Sequence, residues 1–182
     1  MRWLSIVILT FFCFQNSKAQ DDNKLSWNEN TKLVWNNFEA YPDSNSTSAA
    51  ITYSEISYGL SAEIINDKVS VNYEVKCFFI PGKSWVKKEL ADDKLLAHEQ
   101  LHFDITELYA RKFRKLLSEK NFSKEVKSEF KQEYKKILKA LKSCQDLYDH
   151  ETNHSIKEKE QLAWQTKIKK QLKNLEKYKS DN

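Results

Sequence analysis

The stretch ‘LLAHEQLHFDITELYARKF’ (residues 95–113) decides how the chain folds. Together with Leu116, its residues Leu95, His98, His102, Ile105, Tyr109 and Phe113 recur at steps of three and four, one inward stripe of a long helix. Within that stripe His98-Glu99-Gln100-Leu101-His102 matches the pattern H-E-x-x-H. Side chains four apart on a helix stand one turn above each other, so both imidazoles can reach one ion. Glu99, about 100° round the helix, stays off that ion and is available as a base. Two imidazoles on a buried stripe need partners, and a cation satisfies both at once. The expectation is a zinc site on this helix, with Glu99 beside it as the catalytic base.

Outward from this helix, the period on the N-terminal side is two. Ile56, Tyr58, Leu60, Ala62 and Ile64 alternate with polar residues, and Val69, Val71, Tyr73, Val75, Cys77 and Phe79 repeat the pattern. Asn66-Asp67 between them makes a tight turn, so the two runs read as an antiparallel hairpin with one buried face. Upstream, ‘LSWNENTKLVWNNFEA’ predicts a short strand and a turn that pack Trp27, Leu33, Trp35 and Phe38 on the core. On the C-terminal side a second helix carries Val126, Phe130, Tyr134, Ile137, Leu141, Cys144 and Tyr148, and a third Trp164, Ile168, Leu172 and Leu175. The class is therefore α+β: an antiparallel sheet at about residues 25–80, then three long helices at about 92–180, the first a zincin-like active-site helix. Residues 20–182 are expected to form one domain.

A catalytic zinc takes three protein ligands and leaves a position for water. The first helix supplies two. The other histidines, His150 and His154, fall in ‘YDHETNHS’ (148–155), a second H-E-x-x-H by its letters. Asp149, Thr152, Asn153 and Ser155 around it favour caps and turns, so the chain is expected to turn there, and the second match is a coincidence. His154, in that turn and free to swing toward the first helix, is taken as the third ligand. Glu151, Glu133 on the second helix and His150 are the alternatives.

Residues 1–19, MRWLSIVILTFFCFQNSKA, have an early Arg2, an apolar run too short to span a bilayer and a tail of small residues, the layout of a cleaved secretory signal. The expected location is periplasmic or extracellular, with no membrane anchor. Cys13 leaves with the signal, and a lone pair of cysteines in an oxidising compartment predicts a Cys77–Cys144 disulfide between sheet and helix. Maturation leaves 28 basic against 26 acidic residues, interspersed, with none of the clustered basic surface that nucleic acid would need.

These motifs resemble a bacterial family of predicted secreted zinc-dependent proteases, grouped as a domain of unknown function. The resemblance rests on ‘LLAHEQLHFDITELYARKF’, on ‘YDHETNHS’ with the later ‘QLAWQTKI’, and more loosely on ‘LVWNNFEAYPDSNSTSAAITYSEISYG’ and ‘SWV’. The family pattern, H-E-Q-x-H-F-D and a late Y-D-x-E-T-x-H followed by a tryptophan, marks His98, Glu99, His102, Asp104, Tyr148, Asp149, Glu151, Thr152, His154 and Trp164. It implies His154 rather than His150 as ligand, and a peptide or protein substrate. On that reading Glu99 takes a proton from a zinc-activated water, Tyr148 is the candidate donor to the oxyanion, and Asp149 and Glu151 orient a ligand imidazole. Asp104, pointing away from the histidines, is expected to anchor a neighbouring loop. The competing reading is an exported zinc-binding protein without catalysis.

Overall fold

The computed structural model describes residues 24–30, 32–65 and 68–180. Two twelve-residue strands, β3 (Ser54–Ile65) and β4 (Lys68–Phe79), dominate the sheet, with the short β1 (Leu25–Ser26) on the far side of β4. The register pairs Ile56 with Cys77, Tyr58 with Val75 and Leu60 with Tyr73, placing the apolar partners of each strand on one face as the period of two requires. Near the base of the hairpin that face is core: Ile56, Val75, Cys77 and Phe79 are buried. The expected turn at Asn66-Asp67 and the secretory signal lie outside the described residues. The sequence had no periodic signal for a second sheet, in which β2 (Ala50–Ile51) pairs antiparallel with β5 (Trp85–Val86).

Three helices follow, α1 (Asp93–Glu119), α2 (Val126–Thr152) and α3 (Glu158–Asn174). Asp92 opens α1, its side chain accepting from the Leu95 N–H at 2.7 Å in place of the missing helical partner. At 1.5 Å per residue α1 is about 40 Å long. The sheet covers one side of it, while α2 and α3 cover the others. Phe113 and Phe130 meet edge to face at 5.2 Å, and Phe79 meets Phe103 at 5.8 Å. The Tyr134 hydroxyl donates to the Ile56 carbonyl, tying α2 back to the hairpin.

From its middle onward α1 carries a largely buried ion network. Glu107 accepts from Arg111 and Arg114, each at 3.0 Å. Arg111 also donates to the Leu172 carbonyl and to Glu176, and Arg114 to the carbonyls of Val75 and Tyr178. One carboxylate thereby fixes α1 to the sheet and to the segment after α3.

The expected disulfide is not formed: Cys77 and Cys144 are both free thiols. Cys77 faces the Glu107 and Arg114 side of α1. Cys144 lies beside Tyr109 and Lys112, more than a third of a turn round the same helix. Both residues do point inward, but α1 stands between them. Burial, reinforced by the Glu107 charge, pushes the Cys77 thiol well above its ordinary pKa. No helix among the described residues is long and apolar enough to cross a membrane.

Candidate metal centre

The six residues between α1 and α2 return the chain antiparallel to itself. Counting outward equally from residues 123 and 124, His102 meets Gln145 and His98 meets Asp149 on the facing helix. The contacts follow that register. His98 Nε2 lies 3.1 Å and His102 Nε2 2.9 Å from Asp149 Oδ1, and the two Nε2 atoms are 3.2 Å apart. These three atoms form the group that could hold a metal ion. Their separations fall a few tenths short of the about 3.3 Å edge of a tetrahedral ion with bonds of about 2.0–2.1 Å.

The other ring nitrogens show why the cluster calls for a cation. Gln145 donates from Nε2 to Thr106 Oγ1 at 3.0 Å and toward the His102 carbonyl, which turns its Oε1 to His102 Nδ1 at 3.2 Å. Gln161 Oε1 accepts from the Tyr148 hydroxyl at 2.7 Å and faces His98 Nδ1 at 3.2 Å. With a proton on each Nδ1, both Nε2 lone pairs point at a carboxylate oxygen. Three acceptors at such distances repel unless a positive charge lies among them. A proton is one such charge. Burial opposes it, but the Asp149 hydrogen bond and the Glu99 charge prevail and raise the pKa of His102 above its ordinary value. Against its own burial, hydrogen bonds from His102 and His98 hold Asp149 well below the usual carboxylate range.

Glu99 lines the same cleft, 4% exposed. Among the described residues no side chain or backbone N–H donates to its carboxylate, whose own main-chain carbonyl accepts from Thr52 Oγ1. The cleft, about 540 Å³, is walled by β2 and the residues flanking it on one side and by the start of α1 and the end of α2 on the other.

The remaining expected residues fall into two groups. His154 belongs to the cleft, with Nδ1 3.8 Å from Asp149 Oδ1, and is largely exposed. It sits in the expected turn: α2 ends at Thr152, and Asn153, His154 and Ser155 all have left-handed backbone, φ 47, 51 and 77. The other group lies away from the open site. Tyr148, taken as an oxyanion donor, is fully buried, stacks on His98 at 4.5 Å and spends its hydroxyl on Gln161, so it supports the imidazole from behind. Burial pushes its own pKa well up. Glu151 touches neither imidazole and accepts from Trp164 Nε1 at 2.7 Å, joining α2 to α3. Glu133 pairs with Lys120 and Lys136 toward the opposite end of α2, and His150 is exposed. Asp104 anchors the N-terminal segment as expected, accepting from Trp27 Nε1 at 2.8 Å.

Asp149 was expected to orient a ligand and is instead one of the three converging groups; Gln145 and Gln161 take the orienting role. The antiparallel register of α1 and α2 was the available signal for Asp149 and Gln145. For Gln161 the signal was its place at the head of ‘QLAWQTKI’, one of the segments that carry the family resemblance.

Residues 83–155 match the family model described as Bacterial protein of unknown function (DUF922). That stretch runs through α1 and α2 and ends on Ser155, the last left-handed residue. Neither curated proteins nor solved structures give a match.

Proposed function

We propose that the chain is an exported zinc-dependent hydrolase acting on peptide bonds, with zinc on His98, His102 and Asp149. The observation that carries this reading is the convergence of His98 Nε2, His102 Nε2 and Asp149 Oδ1, with the Glu99 carboxylate beside them in an open cleft. Two imidazoles and one carboxylate suit zinc and leave its fourth position open. Bound there, zinc would supply Lewis acidity and bring the pKa of a water toward about 7.

The chain's own groups do the rest. Glu99 takes the proton of the attacking water and delivers it to the leaving amine. Its lack of protein donors keeps it available for both transfers. Gln145 and Gln161 hold each imidazole with Nε2 toward the ion. His154, beside Asp149 at the end of α2, serves as donor to the developing oxyanion in place of Tyr148. Export rests on the signal-like residues 1–19.

The test is zinc content and peptide hydrolysis of the purified protein beside Glu99→Gln. The expected result is one zinc per chain in both, with turnover lowered by at least about 100-fold in the variant. Bound zinc with no turnover in either would favour the non-catalytic zinc protein, and equal turnover in both would remove Glu99 as the base. An absence of metal would end the reading.

A further inference from the structure

We infer that the cleft takes an internal stretch of an extended, unfolded polypeptide, selects an apolar side chain next to the scissile bond, and rejects C-terminal carboxylates and other groups that carry negative charge. The inference rests on the hydrolase reading above and assigns its substrate class.

The backbone of β2 supplies the first argument. Lys87 N–H donates to the Ala49 carbonyl, and Ile51 pairs with Trp85. Antiparallel alternation then turns the N–H and C=O of Ala50 and Thr52 away from β5. β2 has no neighbour on that side among the described residues, and Ala49 to Thr52 line the cleft. Ala50 is buried, and peptide groups in such a place call for partners. An extended chain laid along β2 supplies donors and acceptors at the right spacing without regard to its side chains.

Apolar surface supplies the second. Ile51, Leu90 and Ile156 come from three separate segments and are 39%, 50% and 72% exposed, yet all three line this one cleft. Single exposed aliphatic residues are ordinary on a protein surface. Three gathered around a polar metal centre form a seat for an aliphatic or aromatic side chain.

Charge supplies the third. The charged groups lining the cleft, besides the histidines, are Asp92, Glu99 and Asp149, with no lysine or arginine among the described lining residues. Asp92 is engaged by the start of α1 and Asp149 by two imidazoles, and an entering anion would meet like charge from both and from Glu99. Beyond the zinc itself and His154, a phosphate or a terminal carboxylate entering here would find no basic side chain to replace its water. An enzyme that trims C-terminal residues needs such a partner; one that cuts within a chain does not.

The test uses the zinc-loaded full protein on unfolded casein, with cut sites read by mass spectrometry and Glu99→Gln as the blank. Expected are internal cuts with Leu, Ile, Val, Phe or Met adjoining the bond, and a kcat/KM on the best peptide that falls about tenfold in Leu90→Ser/Ile156→Ser at unchanged zinc content. Glu99-dependent cuts flanked by charged residues, or release of C-terminal residues alone, would overturn the inference and leave the hydrolase reading standing. An absence of Glu99-dependent cutting would overturn the hydrolase reading. Calorimetry on metal-loaded Glu99→Gln then decides the cleft separately, using hexapeptides blocked at both ends with a Leu-Leu or an Asp-Asp centre. At least about tenfold tighter binding of the first is expected, and equal binding would overturn the inference.

Discussion

Asp149 carries more of the site than its letter suggested. Read among cap-forming neighbours it looked like a turn residue, but it lies on the last full turn of α2 and faces both histidines. Asp149→Ala is expected to lower zinc affinity by at least about 100-fold, whereas His154→Ala should retain zinc and lose turnover. Metal titration of the two variants separates these roles, and the reverse result would restore His154 as the ligand. Affinity should also depend on pH in a stated direction. His102 holds its proton to a higher pH than an ordinary histidine of about 6.5, and zinc must displace that proton. Zinc binding should therefore weaken as pH falls, starting above that value, by about tenfold per unit for each proton displaced. Asp149 stays ionised throughout this window, since its pKa lies well below the carboxylate range.

The helices and the hairpin were legible in sequence because each repeats its own period over a dozen residues or more. Ile56 and Cys77 face each other in the register that alternation dictates, and Asp92 opens α1 as its side chain suggests. β2 and β5 were not legible, being two residues each and set by what they pair with. The failed disulfide has the same origin: the inward side of Cys77 and of Cys144 could be read, but not which element lies between. Gln161 illustrates the limit for the site: ‘QLAWQTKI’ marked its segment of α3, but not that its side chain reaches back to His98. Because His98 and Glu99 lie within two turns of the capped end, Asp92→Ala should loosen the site as well as the helix. The expected loss is about 1 kcal/mol of stability, measured by denaturant unfolding, with weaker zinc binding.

Across the whole molecule, α1 holds the candidate metal centre toward one end and the Glu107 network further along. Removing that carboxylate would leave the buried Arg111 and the partly buried Arg114 without their shared partner. Glu107→Ala is expected to destabilise the fold by about 3–5 kcal/mol, read by chemical denaturation of the metal-free protein, while Glu176→Ala, at the solvent edge, should change it by less than about 1 kcal/mol. The two thiols, separated by that same helix, bear on where the molecule can survive. With Cys77 and Cys144 both free, the described residues hold no covalent tie for glutathione or a thiol oxidoreductase to open. The proposed ion would instead bridge α1 to α2, so the fold should tolerate strongly reducing surroundings and falter where zinc is scarce. Withholding zinc would therefore disarm it more readily than shifting the redox balance.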